Sequence, residues 1–93
     1  MRKQDLIHAV AQELKQPETQ VAATVNALLN VIESTLARGE EVNISGFGAF
    51  RVVERAAREG RNPRTGDNMM IGARKSPAFR AGSGLRRAVE GES

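Results

Sequence analysis

The sequence predicts an α+β fold. A two-helix hairpin over residues 3–38 leads into a three-stranded antiparallel sheet with a long protruding β-arm over residues 41–80. A short C-terminal helix over residues 83–90 completes the chain. Three observations lead there. Apolar residues recur at helical spacing as far as Arg38, and the period changes to two after Gly39. Between two strand-like runs lies a polar stretch, EGRNPRTGDN at residues 59–68, with no apolar side chain apart from its proline.

Leu6, Ile7, Val10, Ala11 and Leu14 form the apolar stripe of a first helix over residues 3–14, and Lys15-Gln16-Pro17 break it. Proline suits a helix start because its missing N–H would be unpaired there, and Glu18 in the next turn suits the helix dipole. The second helix, Pro17 to Arg38, carries Val21, Val25, Leu28, Leu29, Ile32 and Leu36, with Gly39 as its expected C-cap. So short a break makes the two helices a hairpin. Val42 and Ile44 then alternate with Glu41 and Asn43 up to Gly46-Phe47-Gly48, a tight turn expected to deliver an aromatic ring into a packed site. A second strand is expected from Ala49 to about Ala57 and a returning one from Asn68 to about Arg74. Lys75–Arg80 continues extended, with Pro77 suited to an edge. Ser83 is expected to cap the last helix, and Glu90–Ser93 to fray. No linker, repeat or second domain appears, so residues 1–93 read as one domain.

A chain of 93 residues buries only about 60–65% of its extended surface. With three phenylalanines, no tryptophan, no tyrosine and no cysteine, it has few large core residues and no disulfide to offset them. Small chains of this kind often complete their core by oligomerising. The N-terminal MRKQDLIHAVAQ carries no long apolar run, so neither a secretory signal nor a membrane span is expected, compatible with a cytoplasmic protein without membrane partners.

The net charge of +3 is unevenly placed. Residues 51–75 hold seven Arg or Lys against three acids, whereas the remainder holds seven against eight. Arg51, Arg55, Arg58, Arg61, Arg64, Arg74 and Lys75 line the arm or its base. Charge alone allows two uses, a solubilising surface or a grip on a phosphate backbone, and favours the second. Arginine in place of lysine favours planar, multi-donor contacts. Pro63 at the tip is either an apolar wedge or an ordinary turn residue, and the local sequence leaves both open.

The run GFGAFRVVERAAREGRNPRTGDNMMIGARKSPAFRAG resembles the signature region of the bacterial histone-like DNA-binding proteins, the HU and integration host factor family, and lies closer to HU. The similarity extends over about residues 2–90. It implies an intertwined dimer whose two β-arms enter the minor groove of double-stranded DNA. Pro63 matches the family's intercalating arm-tip proline. Arg55, Arg58, Arg61, Asn62 and Arg64 fall on the arm; Arg74 and Lys75 fall at its base; Lys3 and Arg80 match flanking basic positions. Phe47, Phe50 and Phe79 match the aromatic dimer core, which Leu29, Ile32 and Leu36 extend, and Gly46 and Gly48 frame the turn. The implied function is non-enzymatic: binding duplex DNA with little sequence selectivity, bent, nicked or gapped DNA preferred, bending it and compacting the chromosome. A homodimer associated with the nucleoid is expected.

The chain departs from the family pattern in places. The family commonly reads K-P-G-K after the third phenylalanine, where this chain has Arg80-Ala81-Gly82-Ser83, so body-side phosphate contacts are expected to weaken, offset in part by Arg86 and Arg87. Pro17 stands where a serine cap is usual, and Glu54 and Glu59 moderate the arm's field. The rivals are a sequence-selective subunit of a heterodimer like integration host factor, an RNA-shape binder, and a protein-interaction module. No catalytic constellation competes. His8, the one histidine, reads as a boundary residue; Asp5, Glu13, Glu18 and Glu33 read as solvated helix faces; and Gly46, Gly48 and Gly72 lack the context of a nucleotide loop. No metal or cofactor is implied.

Overall fold

The computed structural model describes residues 1–91. Its contacts group into two compact units, one from Met1 to Thr35 and one that begins at Leu36. The expected fraying of Glu90–Ser93 falls partly outside the described residues; α3, the last helix, runs Ser83–Glu90.

In the first unit α1 spans Lys3–Leu14 and α2 begins at Glu18, ending at Ala37. The Asp5 carboxylate accepts the Arg2 backbone N–H at 2.8 Å, satisfying one of the orphan donors of the helix start. Lys15 closes α1 in the left-handed region, φ 56°, with its N–H on the Ala11 carbonyl. Pro17 lies just outside α2, and its carbonyl accepts the N–H groups of Gln20 (3.1 Å) and Val21 (3.2 Å). Lacking a side-chain acceptor, it caps only through its backbone. Ile7, Ala11 and Val21 are buried, with Ala22 and Val25 packed against them. Leu6, Val10 and Leu14, expected on the same stripe, are exposed, because α2 covers only the Ile7–Ala11 side of α1. His8 is exposed and its Nδ1 lies 3.1 Å from Glu18 Oε2.

In the second unit Gly39, at φ 81°, ends the helix by donating its N–H to the Leu36 carbonyl at 2.9 Å. The strands are β1 (Val42–Ile44), β2 (Gly48–Arg55), β3 (Arg58–Arg61), β4 (Asn68–Ile71) and β5 (Arg74–Ala81). The three-stranded antiparallel sheet has the order β1-β2-β5, and β3-β4 form a separate two-stranded ribbon. Arg55 pairs with Arg74 at the end of one ladder, and Arg58 with Ile71 at the start of the next. Two residues therefore intervene on each side, and the register is unbroken through the gap. The strands expected over 49–57 and 68–74 are thus each interrupted, at Ala56-Ala57 and Gly72-Ala73. These small side chains offer little cross-strand contact, the usual unit of sheet stabilisation. Pro77 occupies edge strand β5, where its missing donor costs least.

The turn between β1 and β2 fixes the aromatic cluster. Gly46, at φ 80°, lets Phe47 N–H reach the Ile44 carbonyl at 2.9 Å. The Phe79 ring centroid lies 4.9 Å from Phe50 and 5.9 Å from Phe47. Gly48 has no room for a Cβ, which would meet Phe79 Cε1 and the Arg80 carbonyl oxygen, each at 2.7 Å. The α3 start docks on the same turn: Gly82 N–H donates to the Phe47 carbonyl at 2.8 Å, and Leu85 N–H to Gly46 at 3.3 Å. Gly82, not Ser83, is the N-cap, since Ser83 is already helical and no side chain caps. A Cβ at Gly84 would lie 2.7 Å from the Gly46 oxygen, so the helix start packs directly on this turn.

Candidate nucleic-acid interface

Directly opposed residues of an antiparallel pair share a face, and faces alternate along each strand. The β2–β5 register therefore sorts the sheet into two unlike surfaces. One carries Phe50 opposite Phe79, Val52 opposite Pro77 and Glu54 opposite Lys75, with Val42 and Ile44 of β1 beside them. The other carries Arg80 opposite Ala49, Arg51 opposite Ala78, Val53 opposite Ser76 and Arg55 opposite Arg74. Four arginines share this second face, with no carboxylate among its paired strand residues.

Among the site residues expected from the sequence, Arg55, Arg74 and Arg80 are brought onto one surface. Lys75 is turned to the other, and its Nζ lies 3.8 Å from Glu54 Oε1. Both of those side chains are well exposed, so the pair contributes little. Along the arm Arg58 and Arg61 fall three residues apart and hence on opposite faces of the β3–β4 ribbon. Lys3 belongs to the helical unit, its Nζ donating to Asn26 Oδ1 at 2.8 Å.

The arm tip is a braced loop. Past the last rung, Arg61 opposite Asn68, the Asn62 N–H donates to the Asp67 carbonyl at 2.8 Å. Gly66, at φ 77°, returns its N–H to the Asn62 carbonyl at 2.7 Å. Asn62 Oδ1 accepts the Arg64 N–H at 2.9 Å, and Thr65 Oγ1 accepts the Asp67 N–H at 3.2 Å. This local bonding is what Asn and Thr side chains offer at turns. It holds Pro63 and Arg64 outward, both exposed.

Three residues of the sheet face and arm are not singled out as site residues by the sequence. Arg51 was recognised as part of the basic segment but not as a member of this surface; its spacing of four from Arg55 was the available signal. Met69 and Met70 are exposed on the arm, opposite Gly60 and Glu59. Nothing in their run distinguishes an exposed ribbon from a buried strand.

The profile of the family described as Bacterial DNA-binding protein matches residues 1–90. The DNA-binding protein HU of Staphylococcus aureus is 48% identical over 90 residues, covering 97% of this chain and all of that one. The HU of Streptococcus mutans is 50% identical over 88 residues, 95% of this chain and 97% of its own. A structure of Anabaena HU in a cocrystal with DNA superposes with a TM-score of 0.90 at 42% identity, covering 96% of this chain and 97% of that one. That structure carries the same helical hairpin, three-stranded sheet with arm, and short C-terminal helix. The chain belongs to the bacterial DNA-binding proteins of the HU and integration host factor family, whose members are not enzymes.

Proposed function

We propose that this protein is an architectural DNA-binding protein that binds duplex DNA with little sequence selectivity and bends it. The observation that carries the reading is the segregation of Arg51, Arg55, Arg74 and Arg80 onto one sheet face that continues into an exposed arm. Such a surface is suited to neutralising a phosphate backbone, a contact that carries no sequence information. The arm adds Arg58 and Arg61 on opposite faces, an arrangement fitted to the two walls of a groove. At its end Pro63 presents a rigid apolar ring, and inserting it between base pairs costs a few kcal/mol of unstacking, offset by the added contact of bent DNA. DNA that is already bent, nicked or gapped meets part of that cost beforehand and binds more tightly.

The working unit is a homodimer, associated with the nucleoid in the cytoplasm. Leu29 is 45% exposed, Phe47 47% and Phe79 44%, while Ile32, Leu36 and Phe50 are only half-buried. Among the described residues the buried hydrophobic side chains are Ile7, Ala11 and Val21, a small core for a chain of this length. A second copy covering the aromatic cluster and the α2 face supplies the missing burial.

Ring closure of short duplexes tests the bending. Pro63→Ala is expected to keep most of the affinity, which the arginines supply, and to close markedly fewer rings than the wild type. Equal ring yields at saturating protein would rule out the wedge.

A further inference from the structure

We propose that Met69 and Met70 form a reversible oxidation site on the arm, where a peroxide converts thioethers to sulfoxides and so weakens the arm's hold on DNA. The chain has no cysteine and three methionines, so apart from Met1 all of its sulfur lies in this one strand. Methionine usually serves as an adaptable filler of irregular core gaps. That role is closed to these two, which are 46% and 69% exposed on a two-stranded ribbon.

The register gives each of them a distinct setting. Adjacent strand residues point to opposite faces, so the ribbon carries one thioether on each side. Met69 is paired with Gly60, which has no side chain to cover it, and it lines an open concavity together with Arg58 and Ser76. Met70 is paired with Glu59, on the face that also carries Arg61. Each methionine is thus the diagonal cross-strand neighbour of one arm arginine, Met69 of Arg58 and Met70 of Arg61, a spacing that long side chains can bridge.

A thioether sulfur is only a weak acceptor and leaves a neighbouring guanidinium free for phosphate. Attack of a sulfur lone pair on hydrogen peroxide forms an S–O bond and breaks the O–O bond. The transferred oxygen gives its proton to the leaving oxygen, which departs as water; the sulfur loses two electrons and the peroxide gains them. The product is a polar sulfoxide in place of an apolar thioether. Its oxygen accepts hydrogen bonds from the same guanidinium donors that a phosphate engages. Methionine sulfoxide reductases, drawing electrons from a thiol, restore the sulfur. The effect on binding rests on the DNA-binding reading, whereas the chemistry of the site does not.

The full-length protein is treated with hydrogen peroxide, and oxidation of each methionine is followed by peptide mass spectrometry, with Met1 as the internal reference for an open thioether. Met69 and Met70 are expected to oxidise at rates comparable to Met1. Affinity for a fluorescent duplex at fixed salt is expected to fall severalfold and to recover after reductase treatment. Met69→Leu/Met70→Leu, compared with its own untreated sample, is expected to lose the peroxide response although Met1 still oxidises. Much slower oxidation of both residues than of Met1 would overturn the site. Full oxidation with affinity unchanged, or an equal loss in the double variant, would overturn the control of binding. An untreated protein without duplex affinity would overturn the function proposed above, and mapped oxidation at both residues would still sustain the modification site.

Discussion

Gly48 shows how one residue type can be required by packing rather than by backbone torsion. Phe79 lies across it, 4.9 Å by centroid from Phe50, and the Arg80 carbonyl closes the remaining side. A methyl at this position meets both, and the backbone oxygen cannot swing away. Overpacking of this kind costs about 1–3 kcal/mol. Gly48→Ala is therefore expected to lower stability by about that amount, read as a reduced urea midpoint with unchanged m-value. An unchanged midpoint would show that the β2–β5 pair opens to admit the methyl. Asn62 illustrates a different constraint, because its carbonyl oxygen is spent on the Arg64 N–H. That bond braces the turn beside Pro63.

At the scale of elements, periodicity made α1, α2 and the strand sequence legible, and turn chemistry located the tip. What was hidden follows from the limits of a single-chain pattern. Leu6, Val10 and Leu14 share the apolar stripe yet are exposed, because spacing reports which face is apolar, not whether this chain covers it. The gap at Ala56-Ala57 and Gly72-Ala73 was unreadable because alanine fits both a strand and a break, and the unchanged register leaves no insertion to detect. The fork of Arg74 and Lys75 onto opposite faces was implicit in their adjacency, and only the pairing with β2 revealed which face was basic. That face makes a quantitative expectation. A protein that neutralises roughly six to ten phosphates loses about 10³–10⁵-fold in affinity between about 50 and 200 mM salt. Two copies of the four-arginine face place this protein in that range, and a fluorescence-anisotropy salt series measures it. A loss below about tenfold would exclude the sheet face as the main DNA contact.

For the whole molecule, folding and association are expected to be one event. The buried hydrophobic side chains among the described residues are Ile7, Ala11 and Val21, all in the helical unit. The second unit holds its aromatic rings in a cluster that is open on one side, with Phe47 and Phe79 nearly half exposed. Its chain has no cysteine with which to staple so small a core. If the homodimer proposed above supplies the remaining burial through surface shared between copies, mass action is expected to raise the melting temperature with protein concentration. Leu29→Glu places a charge on that shared surface and is expected to lower the melting temperature by several degrees. The loss should be greatest at low concentration, where association is weakest. Sedimentation of the wild type at the same concentrations separates the outcomes. A dimer whose melting point climbs over a hundredfold concentration range fits coupled folding. A monomer with a concentration-independent transition would mean that the exposed rings and leucines serve another surface.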